Sequence, residues 1–307
     1  HPLPAAYSRF GSFDQLAEDN NKRINDILAE LQKKSYKKGT IEQKLSDFYK
    51  QALDMESRNK AGISPVKPLL DEMEAAKSKA DLEKIQLKYA AQGYGVSFGG
   101  GFGADEKNVT MNIFQLSQGG LTLGQKDYYV NNDEATVAIR EAFKKYIADM
   151  FKLYGFSAEQ AEEKAQAVFQ HETMLALISK SATELRNPQA NYNKMTLKEF
   201  QSSYPNLHLE EMCNAEGIKS EFIQDMIVGQ PAFMEGLDKI TAAESAATLK
   251  ALMEWDVITS SAAYLTDEIR ECNFDFFGKT MSGRKEDYPL WKRAVNQVQS
   301  QMGEPLG

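Results

Sequence analysis

Histidine is scarce in this chain. Three occur among 307 residues, His1, His171 and His208, and that scarcity constrains any metal site or histidine-based catalytic set. Cysteine is nearly absent too. Cys213 and Cys272 form no Cys-x-x-Cys and no disulfide framework, so two isolated, partly buried thiols are the plainer expectation. No apolar run approaches the roughly 20 residues that cross a bilayer, and no membrane contact is expected within these residues. Positive charge is in deficit: 36 Lys and Arg stand against 44 Asp and Glu, a net charge of −8. That balance argues against a nucleic-acid partner, whose phosphates call for a basic surface. There is no signal-peptide pattern and no initiator Met. The abrupt ends, "HPLPAAYSRF" and "MGEPLG", lead us to expect a piece of a longer protein.

What is present is helical patterning. Five S/T-x-x-E/Q sequences predict capping boxes: Ser12–Gln15, Thr40–Gln43, Ser157–Gln160, Thr196–Glu199 and Thr241–Glu244. Apolar residues at helical spacing follow them. After Ser12 the stripe is Phe13, Leu16, Ile24, Ile27, Leu28 and Leu31. Between Ala135 and Tyr154 it is Ile139, Phe143, Ile147, Met150, Phe151 and Tyr154. One region departs from this rhythm. From Tyr94 to Gly120, glycine clusters surround short β-prone runs in which Val109, Met111, Ile113 and Leu116 roughly alternate with polar residues. The fold expected is mainly α, a multi-helix domain over residues 1–307 with a small β-hairpin insertion around 94–120.

Two stretches invite a chemical reading. "QHETML" (Gln170–Leu175) begins like the helical zinc motif His-Glu-x-x-His, but Leu175 occupies the second ligand position and cannot bind metal. Glu172 falls among Ala165, Val168, Leu175 and Ala176 on an apolar stripe. A partly buried carboxylate there needs a cation or several donors, and Arg186 is the nearest candidate partner. The run "GYGVSFGGGFG" lacks both dinucleotide and phosphate-loop spacing and reads as turns. No serine, cysteine or histidine set supports nucleophilic catalysis. On chemistry alone no catalytic residue and no metal ligand is expected.

Six phrases occur in order: "PAAYSRFGSFDQL", "GLTLGQKDYYV", "RNPQANYNKMTLKEF", "LKALMEWDVITSSAAYL", "FFGKTMSG" and "PLWKRAVNQVQSQMGEPLG". Together they resemble the N-terminal half of the neprilysin/endothelin-converting-enzyme family of zinc metallopeptidases, with the bacterial endopeptidase O branch closest in pattern. The resemblance covers essentially the whole chain. It implies a helical N-terminal domain that restricts substrate access to a C-terminal catalytic domain of the same protein. Zinc would then belong to the parent enzyme, bound by motifs absent from this sequence, and no cofactor is expected in this chain. It further implies oligopeptide substrates, cleavage before hydrophobic residues, and no activity for the chain alone. An extracytoplasmic location follows, periplasmic or anchored through a preceding segment, with a cytoplasmic one left open.

The resemblance also carries site residues. The family's Ser-Arg-aromatic-Gly phrase matches Arg9, whose counterpart receives the free C-terminal carboxylate of short substrates. A fork of guanidinium donors suits that group. The neighbouring family aspartate matches Asp14, so Arg9 and Asp14 are the substrate-binding candidates. A second family arginine falls on Ala17, which halves the clamp and favours endopeptidase action. The plainer reading of Arg9 is a surface ion pair near a helix start. The family's mammalian disulfide falls on Ala52 and Ala294, implying closure by packing alone. A different class stays open: a free-standing helical peptide-binding or adaptor protein.

Overall fold

The computed structural model describes residues 3–90, 92 and 97–306. In chain order the longer helices are α1 (Ser12–Leu31), α2 (Ile41–Leu53), α3 (Lys67–Ala75) and α4 (Lys79–Ala90). Strands β1 (Phe98–Asp105) and β2 (Asn108–Gln118) follow, then α5 (Glu134–Leu153) and α6 (Ala158–Ile178). Short strands β3 (Lys194–Thr196) and β4 (Asp225–Val228) precede α7 (Pro231–Ala243), α8 (Ala246–Ser261) and α9 (Leu290–Leu306). The fold is thus mainly helical with a small sheet. No helix among the described residues is long and apolar enough to cross a membrane.

Local chemistry sets the helix ends. Ser157 with Gln160 and Thr196 with Glu199 close full capping boxes. Thr40 caps α2, but Gln43 turns to the Gly39 N–H instead. Two expectations fail. Ser12 is already helical; Gly11 holds the cap position, and Asp14 accepts its N–H at 2.8 Å. Thr241 lies in the last turn of α7, and Ser245 begins α8 by accepting the Thr248 N–H at 3.1 Å. In both cases the pattern is only a local signal, and a different cap wins: Gly11 with Asp14 at α1, and Ser245 with Thr248 at α8.

The chain divides into two compact units, residues 1–65 with 261–307, and residues 66–260. In the first unit α1, α2 and α9 pack around Leu28, Leu45, Tyr49, Val295 and Val298. Ala52 and Ala294, only 2% and 1% exposed, join this same cluster. The two positions where relatives are expected to place a disulfide are therefore filled by apolar packing. Cys213 and Cys272 form no disulfide among the described residues. Behind them in the chain, residues 275–281 form a π-helical turn in which a Cβ on Gly278 would meet the Phe274 ring at 2.1 Å. Only glycine lets that ring close against the backbone.

In the second unit the hairpin expected around 94–120 is present as β1 and β2, antiparallel from Phe98↔Gln118 to Ala104↔Asn112. The residues Tyr94 to Val96 of that expectation lie outside the described residues. The hairpin extends into a four-stranded sheet of order β1-β2-β4-β3, with β2 and β4 parallel and β3 antiparallel to β4. Phe114, Leu116, Met226, Val228, Phe200 and Phe233 form the core against it. A second nucleus is aromatic: Trp255 on α8 lies 5.7 Å from Tyr146 and 6.5 Å from Phe143, both on α5.

Candidate functional site

Arg9 sits in the first unit, in the segment entering α1. Backbone bonds fix that segment: the Ala5 carbonyl accepts the Lys285 N–H at 2.9 Å, and the Ala6 carbonyl accepts Arg284 Nε at 2.9 Å. A side-chain knot adds to this. Lys292, 4% exposed, donates to both Tyr7 and Glu18 and lies 3.7 Å from the Tyr288 ring centroid. The hydrogen bonds from Lys292 and Tyr7 hold the Glu18 carboxyl below its ordinary range against the opposing effect of burial. Burial and Glu18 push the Tyr7 hydroxyl upward. Such a paired, desolvated knot stabilises the segment only while complete.

Out of this fixed base Arg9 projects into solvent. Among the described residues it has no ion-pair or hydrogen-bond partner, so the surface ion pair that offered the plainer reading is absent. Asp14 is half-buried and engaged with the Gly11 N–H. The structure therefore places the two candidates at one helix start with different duties: a free guanidinium, and a carboxylate holding the turn beside it. Beyond them α1 exposes an apolar stripe. Phe13, Leu16 and Ile27 are 86%, 56% and 51% exposed and share one helix face by their spacing. Of the six residues expected to be buried on this helix, Leu28 alone is fully so.

"QHETML" lies on α6 in the second unit. Leu175 is wholly buried in the core. His171 Nδ1 lies 2.7 Å from Glu244 Oε1. Glu172, 3% exposed, does not meet Arg186. Its oxygens accept the Thr122 N–H at 3.1 Å, the Thr122 hydroxyl at 2.6 Å, and the Tyr129 hydroxyl. Trp255 Nε1 donates to that same Thr122 hydroxyl at 3.2 Å. Burial raises the Glu172 carboxyl above its ordinary range, and the donors oppose the rise. The arrangement ties α6 to the loop after β2 and to α8. It is a structural network with no reactive group exposed. Zinc does not fit here: among the described residues no three His, Cys, Asp or Glu side chains are placed to hold a metal.

Residues 1–307 match the profile of Peptidase family M13. The chain belongs to that family. Neprilysin-3 of Drosophila melanogaster is 24% identical over all of this chain and 41% of its own length. Human endothelin-converting enzyme 1 is 22% identical over all of this chain and 40% of its own length. Among solved structures, the Mycobacterium tuberculosis zinc metalloprotease Zmp1 bound to an inhibitor superposes with a TM-score of 0.93 at 25% identity, covering 100% of this chain and 46% of that one. PepO from Lactobacillus rhamnosis HN001, at 18% identity and a TM-score of 0.82 over 99% of this chain and 48% of its own, shares the fold. The chain thus spans about two fifths of the curated M13 relatives it matches, and what matches is the family's N-terminal region.

Signals in sequence found Arg9 through its phrase and Glu172 through its stripe. They missed Lys292 and Tyr7, which stand 285 positions apart. No local pattern joins two such residues.

Proposed function

We propose that this chain is the substrate-restricting N-terminal region of a zinc-dependent metalloendopeptidase that hydrolyses oligopeptides before hydrophobic residues. Zinc and the groups that activate water belong to the catalytic part outside this chain, and the chain alone is inactive. The observation that carries the reading is the bare stripe of Phe13, Leu16 and Ile27 beside the unpaired Arg9. A helix face that apolar and that exposed calls for a cover, and the catalytic part of the same protein supplies it. The 41% coverage of full-length relatives leaves room for such a part.

Arg9 then receives the C-terminal carboxylate of a bound peptide through paired N–H donors. Asp14 assists by fixing the turn that carries it. With Ala17 in place of a second arginine the hold is partial, and internal cleavage predominates. The test is made in the full-length protein. Arg9→Ala should raise KM for peptides with a free C-terminus by about tenfold, the worth of one charged hydrogen-bonding pair, while amidated peptides of the same sequence keep theirs. Equal losses on both peptide types would remove Arg9 from the site.

A further inference from the structure

β1 is an outer strand of the four-stranded sheet in the second unit. We propose that an extended peptide adds to its free edge as a fifth strand, held mainly by main-chain hydrogen bonds. Natural sheets guard their edges with proline, lysine, an inward charge or a covering element. Here Phe98 to Ala104 read "FGGGFGA", with no proline and no charge. Gly99, Gly100, Gly101, Phe102 and Ala104 are exposed, and the register shifts only between Ala104 and Asp105, at the end of the strand.

Bonds on the far side of β2 fix which groups of β1 face outward. The Leu116 carbonyl accepts the Gly229 N–H at 2.8 Å, and the Gln118 N–H donates to Gln230 Oε1 at 2.8 Å. Leu116 and Gln118 therefore turn away from β1, and Gly100 and Phe98 form non-hydrogen-bonded pairs with them. The period of two extends this to Phe102 and Ala104. The N–H and C=O groups of Gly100 and Phe102 thus point across the open edge, and among the described residues nothing pairs with them. The Ala104 N–H points the same way, while its carbonyl accepts Gln115 Nε2 at 3.0 Å. A peptide backbone carries donors and acceptors at the matching spacing.

Glycine use agrees. A Cβ on Gly99 would meet Ser117 Oγ at 2.7 Å, and one on Gly100 would meet the buried Phe114 ring at 3.1 Å, so packing within the hairpin accounts for both. A Cβ on Gly101 would meet nothing within 4 Å, and its φ is not positive. Glycine weakens a strand interior and marks the close approach of a ligand or another backbone; at Gly101 no such neighbour stands among the described residues. On the opposite face Phe102 is 50% exposed and offers a cross-strand contact to an apolar side chain. A second copy of the chain is the poorer occupant, because each copy carries a net charge of −8. The edge does not involve Arg9 or the α1 stripe, so this inference stands apart from the proposed peptidase role.

The test is amide hydrogen exchange in the full-length protein, with a chelator present so that peptide is not cut. The probe is the octapeptide Lys-Thr-Val-Thr-Val-Thr-Val-Lys. With the probe at ten times its Kd, the amides of Gly100, Phe102 and Ala104 should exchange about tenfold more slowly. Those of Gly99, Gly101 and Gly103 face β2 already and should not change. Phe102→Pro removes one outward donor and no bond to β2. It should weaken binding about tenfold relative to Phe102→Ala, which keeps that donor. Absence of the slowing overturns the proposal, a result that needs no variant to fold. Slowing that grows with protein concentration alone assigns the edge to a second copy and overturns it. Amides already slow at every concentration without the probe show that another part of the protein covers the edge, which overturns it too. So does equal affinity of folded Phe102→Pro and Phe102→Ala proteins.

Discussion

At the scale of single residues the second unit carries two buried carboxylates with distinct burdens. Glu254 on α8 is fully buried, with Lys164 Nζ at 2.6 Å and Glu74 beside it. Burial, then a hydrogen bond shared with the Glu74 carboxyl, push its carboxyl up to about 8 against the attraction of Lys164. Its folded pKa is raised, so the folded protein keeps a proton that the unfolded chain loses between about pH 4.5 and 8. Stability should therefore be fullest below that window and fall through it, by at most about 1.4 kcal/mol per pH unit from this group. Glu254→Gln should flatten that part of a denaturation-versus-pH profile; an unchanged slope would contradict the assignment. Glu172 is different, because three donors converge on it. Glu172→Gln keeps a single acceptor oxygen and should cost about 1–3 kcal/mol, seen as a lowered Tm. In the full-length protein turnover should survive, and lost turnover with an unchanged Tm would refute a structural role. That Glu172 is buried was legible from its apolar neighbours. Its partners were not, since Thr122 and Tyr129 lie 50 and 43 positions away and only tertiary packing joins them.

At the scale of elements, strong helical periodicity transferred well. The stripe from Phe143 to Tyr154 is buried as its spacing implies. The hairpin was legible from glycines and alternation, whereas β3 and β4, three and four residues long, are too short to leave a pattern and exist by pairing with each other and with β2. In β2 the alternation covers half the strand only, because Val109 and Met111 are exposed at its outer end. The α1 stripe shows the converse. Its spacing implies a buried face; Ile24, Leu28 and Leu31 do pack into the first unit, whereas Phe13, Leu16 and Ile27 stay exposed. The π-helical turn gives a direct check on packing. Gly278→Ala should cost about 1–3 kcal/mol through forced displacement of the buried Phe274 ring, measured by chemical denaturation. A stability equal to that of the unmutated protein would show that the ring has room to move.

At the scale of the whole molecule, ordered phrases across the chain identified the family, and the match over residues 1–307 agrees. Division into two compact units was not legible. The first unit joins residues 1–65 to 261–307, and no shift in composition marks the crossing points. A phrase singled out Arg9 as a candidate, while its exposure and its lack of a partner among the described residues needed the three-dimensional structure. The central claim is that this chain restricts and positions peptides for a zinc-dependent catalytic part that lies elsewhere in the protein. The most direct measurement is hydrolysis of an internally quenched fluorescent oligopeptide, by the full-length protein and by this chain side by side. The account predicts turnover by the full-length protein that a chelator abolishes and zinc restores, and none by the chain alone. Chelator-sensitive hydrolysis by the isolated chain, or no hydrolysis by the full-length protein, would contradict it.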